Sequence, residues 1–467
     1  INMNFAKKYG ISIIFITLWC IITLYKVFTH STWSDEAHAW NIAQMLNFVD
    51  IIKYMQIEGH TFIWYLCIMP FAKLNLGYPY SMLLLNWFFC LIAILILWFK
   101  APFNTFIKVL IIFSFPFLSY FPVIARCYSI GLVFLFALLA LDKVKLKHSN
   151  TYALLLILLA NTSVLALFGA TVLGVNFVVD LIKNKVKSFY PYLILFIGVL
   201  SIYIQLGHVI APSSDVTGFY NQGISFLSLF DSTFFVDNWG LNVALIATMI
   251  AGLAIFYVAN KIFPFILIFP TLALMLTSAF IYNTFFWHYF FIYVYLICSL
   301  WLVYQRKTDL KFKYVPLILL AYLSLILIFW STNPKHYNET YNNQYASLAQ
   351  YIKNNDRLNS SKILGIEMIP ESLGVYLKKY NIDVYHLCAA EKYSNFYVNK
   401  NHCKYKFGWN AFDKSYDEKG TYLIIPEKYY PNNNVVRFYD KNKKDIFYLV
   451  LVENVYKVKI FELKKSK

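Results

Sequence analysis

Charge is what this sequence has least of. Asp, Glu, Lys and Arg make up 14% of the 467 residues, where an ordinary soluble chain carries about 25%. Acidic residues are the scarcer sign, 24 against 41 basic, for a formal net charge of +17. No CxxC or CxxH spacing occurs among the seven cysteines, so structural zinc has no ligand set. Nor is there an internal repeat or a low-complexity tract. A basic excess of this size could signal nucleic acid, but the lysines stand in short clusters between apolar runs and form no phosphate-tracking groove, which excludes that partner.

What is abundant is apolar and aromatic: 59% of the chain is hydrophobic, with 43 Phe and 38 Tyr. Runs of about 20 apolar residues, the length that crosses a hydrocarbon core, recur from residue 11 to residue 330. No soluble fold could bury so many helices that are apolar all round. The first run, 11–28, follows Lys7 and Lys8 and lacks a small-residue cleavage site, which reads as a retained signal anchor. With those two lysines in the cytoplasm, the runs 11–28, 80–99, 109–122, 127–141, 152–168, 170–182, 190–208, 241–260, 262–281, 287–304 and 314–330 alternate across the membrane, about eleven spans. In that arrangement 15 of the 19 Lys and Arg residues before Ser331 are cytoplasmic, while seven of the ten Asp and Glu residues are outside, as the positive-inside rule requires. The apolar stretch 62–72 must then not cross; counting it as a span would put three lysine clusters on the wrong side. Five cysteines, Cys20, Cys67, Cys90, Cys127 and Cys298, lie in or beside apolar runs and read as small hydrophobes.

From residue 332 the character changes to 22 Lys and Arg and 14 Asp and Glu. Periodicity predicts helices over 343–353 and 371–380 and strands over 362–367, 383–387, 421–425 and 446–453. The expectation is an α-helical polytopic membrane protein, residues 1–331 with a first external loop at 29–79, carrying a C-terminal extracytoplasmic α/β domain at 332–467. Cys388 and Cys403 would pair there if that domain faces an oxidising space.

Four places could carry chemistry. Asp35 and Glu36, in Trp33-Ser34-Asp35-Glu36-Ala37, stand just outside the first span and open a helix-like segment. Anions at a helix start also simply suit the helix dipole. Glu58-Gly59-His60 brings an acid and a histidine back to the membrane surface just before an apolar helix. Arg126, the only arginine before Arg306, heads a later span with Tyr128 beside it. Two readings fit it, a snorkelling anchor and a charged fork for a phosphate. His288 and Tyr289 head a late span, as interface anchors or as ligand contacts. Under the charge topology all four fall on one membrane face.

In order and sidedness these elements resemble the GT-C superfamily of polyprenyl-phosphate-sugar-dependent glycosyltransferases, in its protein-mannosyltransferase and aminoarabinose-transferase branch. The similarity covers about residues 7–302: the Asp35-Glu36 pair in the first external loop, a Glu58-Gly59-His60 segment in which Thr61 and Phe62 replace two prolines, the Arg126-Cys127-Tyr128 element, and His288-Tyr289. Composition and the modest external loops point to a bacterial inner membrane, and the lysine clusters to a cytoplasmic N-terminus. The resemblance implies an inverting transferase. Its donor would be a polyprenyl-phosphate sugar and its acceptor a cell-envelope glycan, lipid or protein. It implies Asp35 as general base, Arg126 with His60 or His288 receiving the leaving phosphate, and Glu36 and Glu58 orienting base or acceptor. No acidic residue follows Arg126 in its loop, so a two-carboxylate metal site is incomplete and a divalent ion stays open.

Two other classes compete. A transporter or lipid-linked glycan flippase would show internal symmetry and ionisable residues at mid-membrane, whereas here they gather at one face. An O-antigen polymerase or ligase would carry a large external loop between late spans, whereas this chain places its carboxylates after the first run and its polar part at the end. The tail itself reads either as solvated surface or as a site of acceptor contact.

Overall fold

The structure is a computed structural model describing residues 3–206, 265–280, 288, 290–306, 314–331, 344–365, 369–386, 420–426, 435–439, 445–455 and 458–465, apart from 31, 33 and 59. The expected span at 241–260, Tyr289, Cys388 and Cys403 lie outside the described residues.

Helix α1 (Met3–Thr29) leads into three short helices, α2 (Ser34–Met45), α3 (Phe48–Glu58) and α4 (Ile63–Lys73). Helices of 11 or 12 residues rise about 16–18 Å, well short of a ~30 Å hydrocarbon core. The chain continues in α5 (Tyr80–Lys100), α6 (Thr105–Phe113), α7 (Tyr128–Leu141), α8 (Ser149–Ala160), α9 (Val164–Lys183) and α10 (Tyr190–Leu206). Later come α11 (Phe265–Phe280), α12 (Phe290–Gln305) and α13 (Val315–Ser331). By length and composition three described helical stretches could span a membrane unaided: Gly10–Thr29, Tyr80–Lys100 and Val164–Lys183.

Two breaks fall where the periodicity reading did not put them. The apolar run 109–122 is not one helix. It stops at Ser114, and the chain makes a π-helical turn over Pro116–Tyr120, because Pro116 has no amide to continue the ladder. Buried backbone freed this way needs partners. Trp19 Nε1 donates to the Phe117 carbonyl at 2.9 Å, and Asn86 Nδ2 and Ser129 Oγ donate to that of Phe121 at 2.8 and 2.6 Å. The break expected near residue 169 lies instead at 161–163, where the Ser163 side chain caps α9 by accepting from Ala166 N. Gly169 sits inside α9, where its missing Cβ makes room for the Tyr295 ring.

The C-terminal part contains α14 (Gln344–Asn354), α15 (Asp356–Asn359) and α16 (Ile369–Leu377) with strands β1 (Lys362–Gly365), β2 (Val384–His386), β3 (Thr421–Pro426), β4 (Val435–Tyr439), β5 (Asp445–Val455) and β6 (Val458–Lys465). They form one mixed sheet, order β2-β1-β3-β6-β5-β4, parallel from β2 to β3 and antiparallel beyond. Four of these strands match the periodicity reading; β4 and β6 were not read from it. Helix α16 packs on α2, which sets this part of the chain against the loop that carries Asp35.

Candidate active site

Asp35 sits in the first turn of α2, where the helix dipole favours an anion. Its side chain keeps 43% of its surface open, the most of any group in the ion pairs of this site. Across from it, Arg126 leaves the irregular segment just before α7. Its Nη1 donates to the Asp35 carbonyl at 3.0 Å and lies 3.4 Å from the Asp35 carboxylate. Its Nη2 lies 3.2 Å from His60 Nε2, which accepts. A base candidate and a cation 91 residues apart are thus in contact.

The surroundings settle what each group carries. Burial and the adjacent Arg126 charge push His60 down, against Glu58 and Asp35, to about 4. His60 is therefore neutral at pH 7 and able to accept from Arg126. Its Nδ1 finds no hydrogen-bond partner among the described residues. Burial alone would raise Glu58, but His38 first, then Arg126 and His60, overcome it and hold the carboxyl at about 2. Glu58 accepts from His38 Nε2 at 2.8 Å and from the Tyr65 hydroxyl at 2.8 Å. It is an anion fully engaged inside the protein.

Glu36 differs from its neighbour. It is buried, with Oε2 2.7 Å from His30 Nε2 and Oε1 accepting from Ala125 N at 2.6 Å. This carboxylate ties the residue before Arg126 to α2 and is fully buried, so the structure does not place it with Asp35 on the open side of the cluster, where the sequence led it to be expected.

The Tyr128 ring stands edge-on to His60, centroids 6.2 Å apart. His288, buried in the turn before α12, lies within electrostatic reach of both His60 and Arg126. The structure brings together Asp35, Glu36, Glu58, His60, Arg126, Tyr128 and His288. Sequence reasoning missed His30, His38 and Tyr65. His38 stood three residues after Asp35, on the same side of a helix, and could have been found. His30 carried no such signal.

One support comes from further along the chain. The first amides of α4 lack partners in their own helix. Gln205 Oε1, from α10, accepts from Phe62 N at 3.0 Å, and the Asn161 carbonyl accepts from Ile63 N at 3.2 Å. Gln205 is itself held by Asn161 Oδ1 at 2.7 Å and by Ser201. This buried network fixes the chain two residues after His60. Among the described residues no group of three or more His, Cys, Asp or Glu side chains could hold a metal ion.

No protein-family model matches the sequence, and no curated protein matches it. The fold, however, is similar to that of ArnT from Cupriavidus metallidurans in its crystal structure bound to undecaprenyl phosphate. The two share 10% identity at a TM-score of 0.55, over 97% of this chain and 98% of that one. The likeness therefore takes in both the helices and the C-terminal sheet.

Proposed function

From the GT-C fold that this integral membrane protein shares with ArnT, we propose that it transfers a sugar from a polyprenyl-phosphate carrier to a hydroxyl or amine acceptor, with inversion. The observation that carries the reading is the Asp35–Arg126 pair, carboxylate and guanidinium 3.4 Å apart at the partly open end of the cluster. That the ArnT structure is bound to undecaprenyl phosphate supports a lipid phosphate as the carrier.

Transfer of this kind asks for a base on one side of the anomeric carbon and a cation on the other. The acceptor oxygen or nitrogen attacks that carbon as its proton passes to Asp35. The bond to the phosphate oxygen breaks, and the electron pair leaves on the polyprenyl phosphate. Arg126, whose forked donors match a phosphate, stabilises that charge as it develops. The phosphate replaces the Asp35 carboxylate as the anion facing Arg126, which frees Asp35 to take the proton. Neutral His60 accepts from one arm of Arg126 and so aims the other. Glu58 and Glu36 stay engaged throughout, Glu58 through His38 and Tyr65, Glu36 through His30 and Ala125 N.

The test supplies labelled polyprenyl-phosphate monosaccharides to membranes containing the protein and follows release of the lipid phosphate. Asp35→Asn is expected to lower turnover by about 10²-fold or more, the usual weight of a general base. Near-normal turnover in that variant would remove Asp35 from the role. Turnover confined to lipid-linked oligosaccharides would move the reading to a polymerase or ligase.

A further inference from the structure

Asp35 lies only six residues past the end of α1, and the linker that orients it is gripped by the C-terminal part of the chain. Thr32, two residues before α2, is buried. Its Oγ1 accepts from the Tyr78 hydroxyl at 2.9 Å and stands 2.6 Å from the hydroxyl of Tyr376 on α16. The rings of Tyr78 and Tyr376 meet edge-on at 5.4 Å, and Trp40 of α2 lies 5.1 Å from Tyr78. At the far end of α2, Lys378 Nζ donates to Gln44 Oε1 at 2.6 Å. The segment around α16 therefore holds α2 just before its first residue and at its last turn, with a packed aromatic cluster between.

The same linker is tied to the cation. His30 pairs with Glu36, and Glu36 accepts from Ala125 N, next to Arg126. A displacement of Thr32 is thus passed to both partners of the Asp35–Arg126 pair. Surface decoration would not need a buried hydroxyl contact spanning 344 positions of sequence.

We infer that Tyr376 is a positioning residue for the transfer reaction, acting through Thr32, and that the C-terminal α/β part is a structural component of the active site. The inference rests on the proposed function for its activity readout, so the experiment carries a second readout that does not. Tyr376→Phe, Thr32→Val, the double variant and Thr32→Ser are made in the full chain. Amide hydrogen exchange over residues 34–45 and steady-state transfer from a polyprenyl-phosphate monosaccharide are then measured. Tyr376→Phe and Thr32→Val should each speed exchange in the first turn of α2 and lower kcat roughly tenfold, since a small misplacement of a reacting group is costly, with KM for the donor within about twofold. Thr32→Ser, which keeps the hydroxyl, should restore kcat. The double variant should be no worse than the worse single, as for two residues acting through one contact. Wild-type exchange in Tyr376→Phe, wild-type kcat in an active enzyme, or single effects that multiply in the double would each overturn the inference. If the unaltered protein turns over no such donor, the functional reading falls, and the exchange measurement alone decides whether Tyr376 holds α2.

Discussion

Arg126 and His60 touch, yet one is charged and the other is not, and the difference is environmental. Burial works against the Arg126 charge, but Asp35 and then Tyr128 more than offset it and push the group well above its usual value. His60 meets burial and Arg126 together and is held at about 4, below its ordinary 6.5. Its neutral form is thus favoured by folding. The stability this contributes is complete above pH 6.5 and is lost as pH falls toward 4, because the unfolded chain takes up the proton first. Glu58, held at about 2 against an ordinary 4.5, adds a second loss below pH 4.5. The melting temperature of the detergent-solubilised protein should therefore decline from about pH 6.5 downward, and His60→Gln should make the limb between 6.5 and 4 shallower, with a smaller change in the lower one because His38 is the first of the groups holding Glu58 down. At Arg126, a lysine would keep the charge and lose the fork. Arg126→Lys is expected to raise KM for the lipid donor by roughly tenfold, the weight of one charge-assisted hydrogen bond, with KM for the acceptor little changed. Equal effects on both would count against a phosphate contact. The candidate residues were legible one by one because Asp-Glu, Glu-x-His and a lone arginine are rare in so apolar a chain. Which of the two adjacent acids stays open was not legible. Glu36 is turned inward by His30 and a backbone amide, and neither partner has a local signature.

Among the elements, the helices that carry the site are short and lean on others. The start of α4 depends on Gln205, 143 residues away. Gln205→Leu leaves the Phe62 N–H without its acceptor and is expected to cost about 1–3 kcal/mol, read as a lowered melting temperature. Helices α8 and α10 approach closely at Gly198, where an added Cβ would lie 2.4 Å from Ile157 Cγ1 and 3.2 Å from its Cβ. The second atom is fixed to the backbone, so a rotamer change cannot clear the clash. Gly198→Ala should lose about 1–3 kcal/mol by overpacking, the reverse of the usual gain from Gly to Ala in a helix. The helices themselves were legible from their apolar length. Their ends were not where side-chain chemistry decided them: Pro116 breaks one run and Ser163 caps another, against an apolar pattern that continued through both. Strand β6 reads Val-Lys-Ile-Phe-Glu-Leu, and its interrupted alternation hid it until pairing with β3 and β5 gave it a place.

Among the described helices, ion pairs stand at both ends of α7. Helix α7 begins beside Arg126 and ends at Asp142, about 21 Å along for its 14 residues. At that second end Asp142 is buried, paired with Arg306 at 2.6 Å and Lys145 at 3.1 Å, and Lys145 also meets Asp180 at 2.7 Å. Lys145 and Arg306, which counted as topology signals in the sequence, are thus also staples joining the ends of α7, α9 and α12. Asp142→Ala removes a buried carboxylate shared by two cations, of which Lys145 keeps Asp180 and Arg306 is part-exposed, and is expected to destabilise by about 1–3 kcal/mol, measurable as a fall in melting temperature without loss of the Asp35–Arg126 contact. A normal melting temperature would show the cluster to be incidental. By itself the sequence determined that the chain is a membrane protein and that an α/β unit follows its helices, and its order of motifs led to the expectation that Asp35, Glu58 and Arg126 lie together. Apolar length and charge bias are local quantities, and the bilayer reads them locally. Only the tertiary structure decided that Arg126 faces Asp35, that Glu36 serves as a clamp, and that Tyr376 reaches Thr32. Each of those contacts joins residues tens to hundreds of positions apart, and whether they meet depends on how the helices pack, which no local pattern encodes.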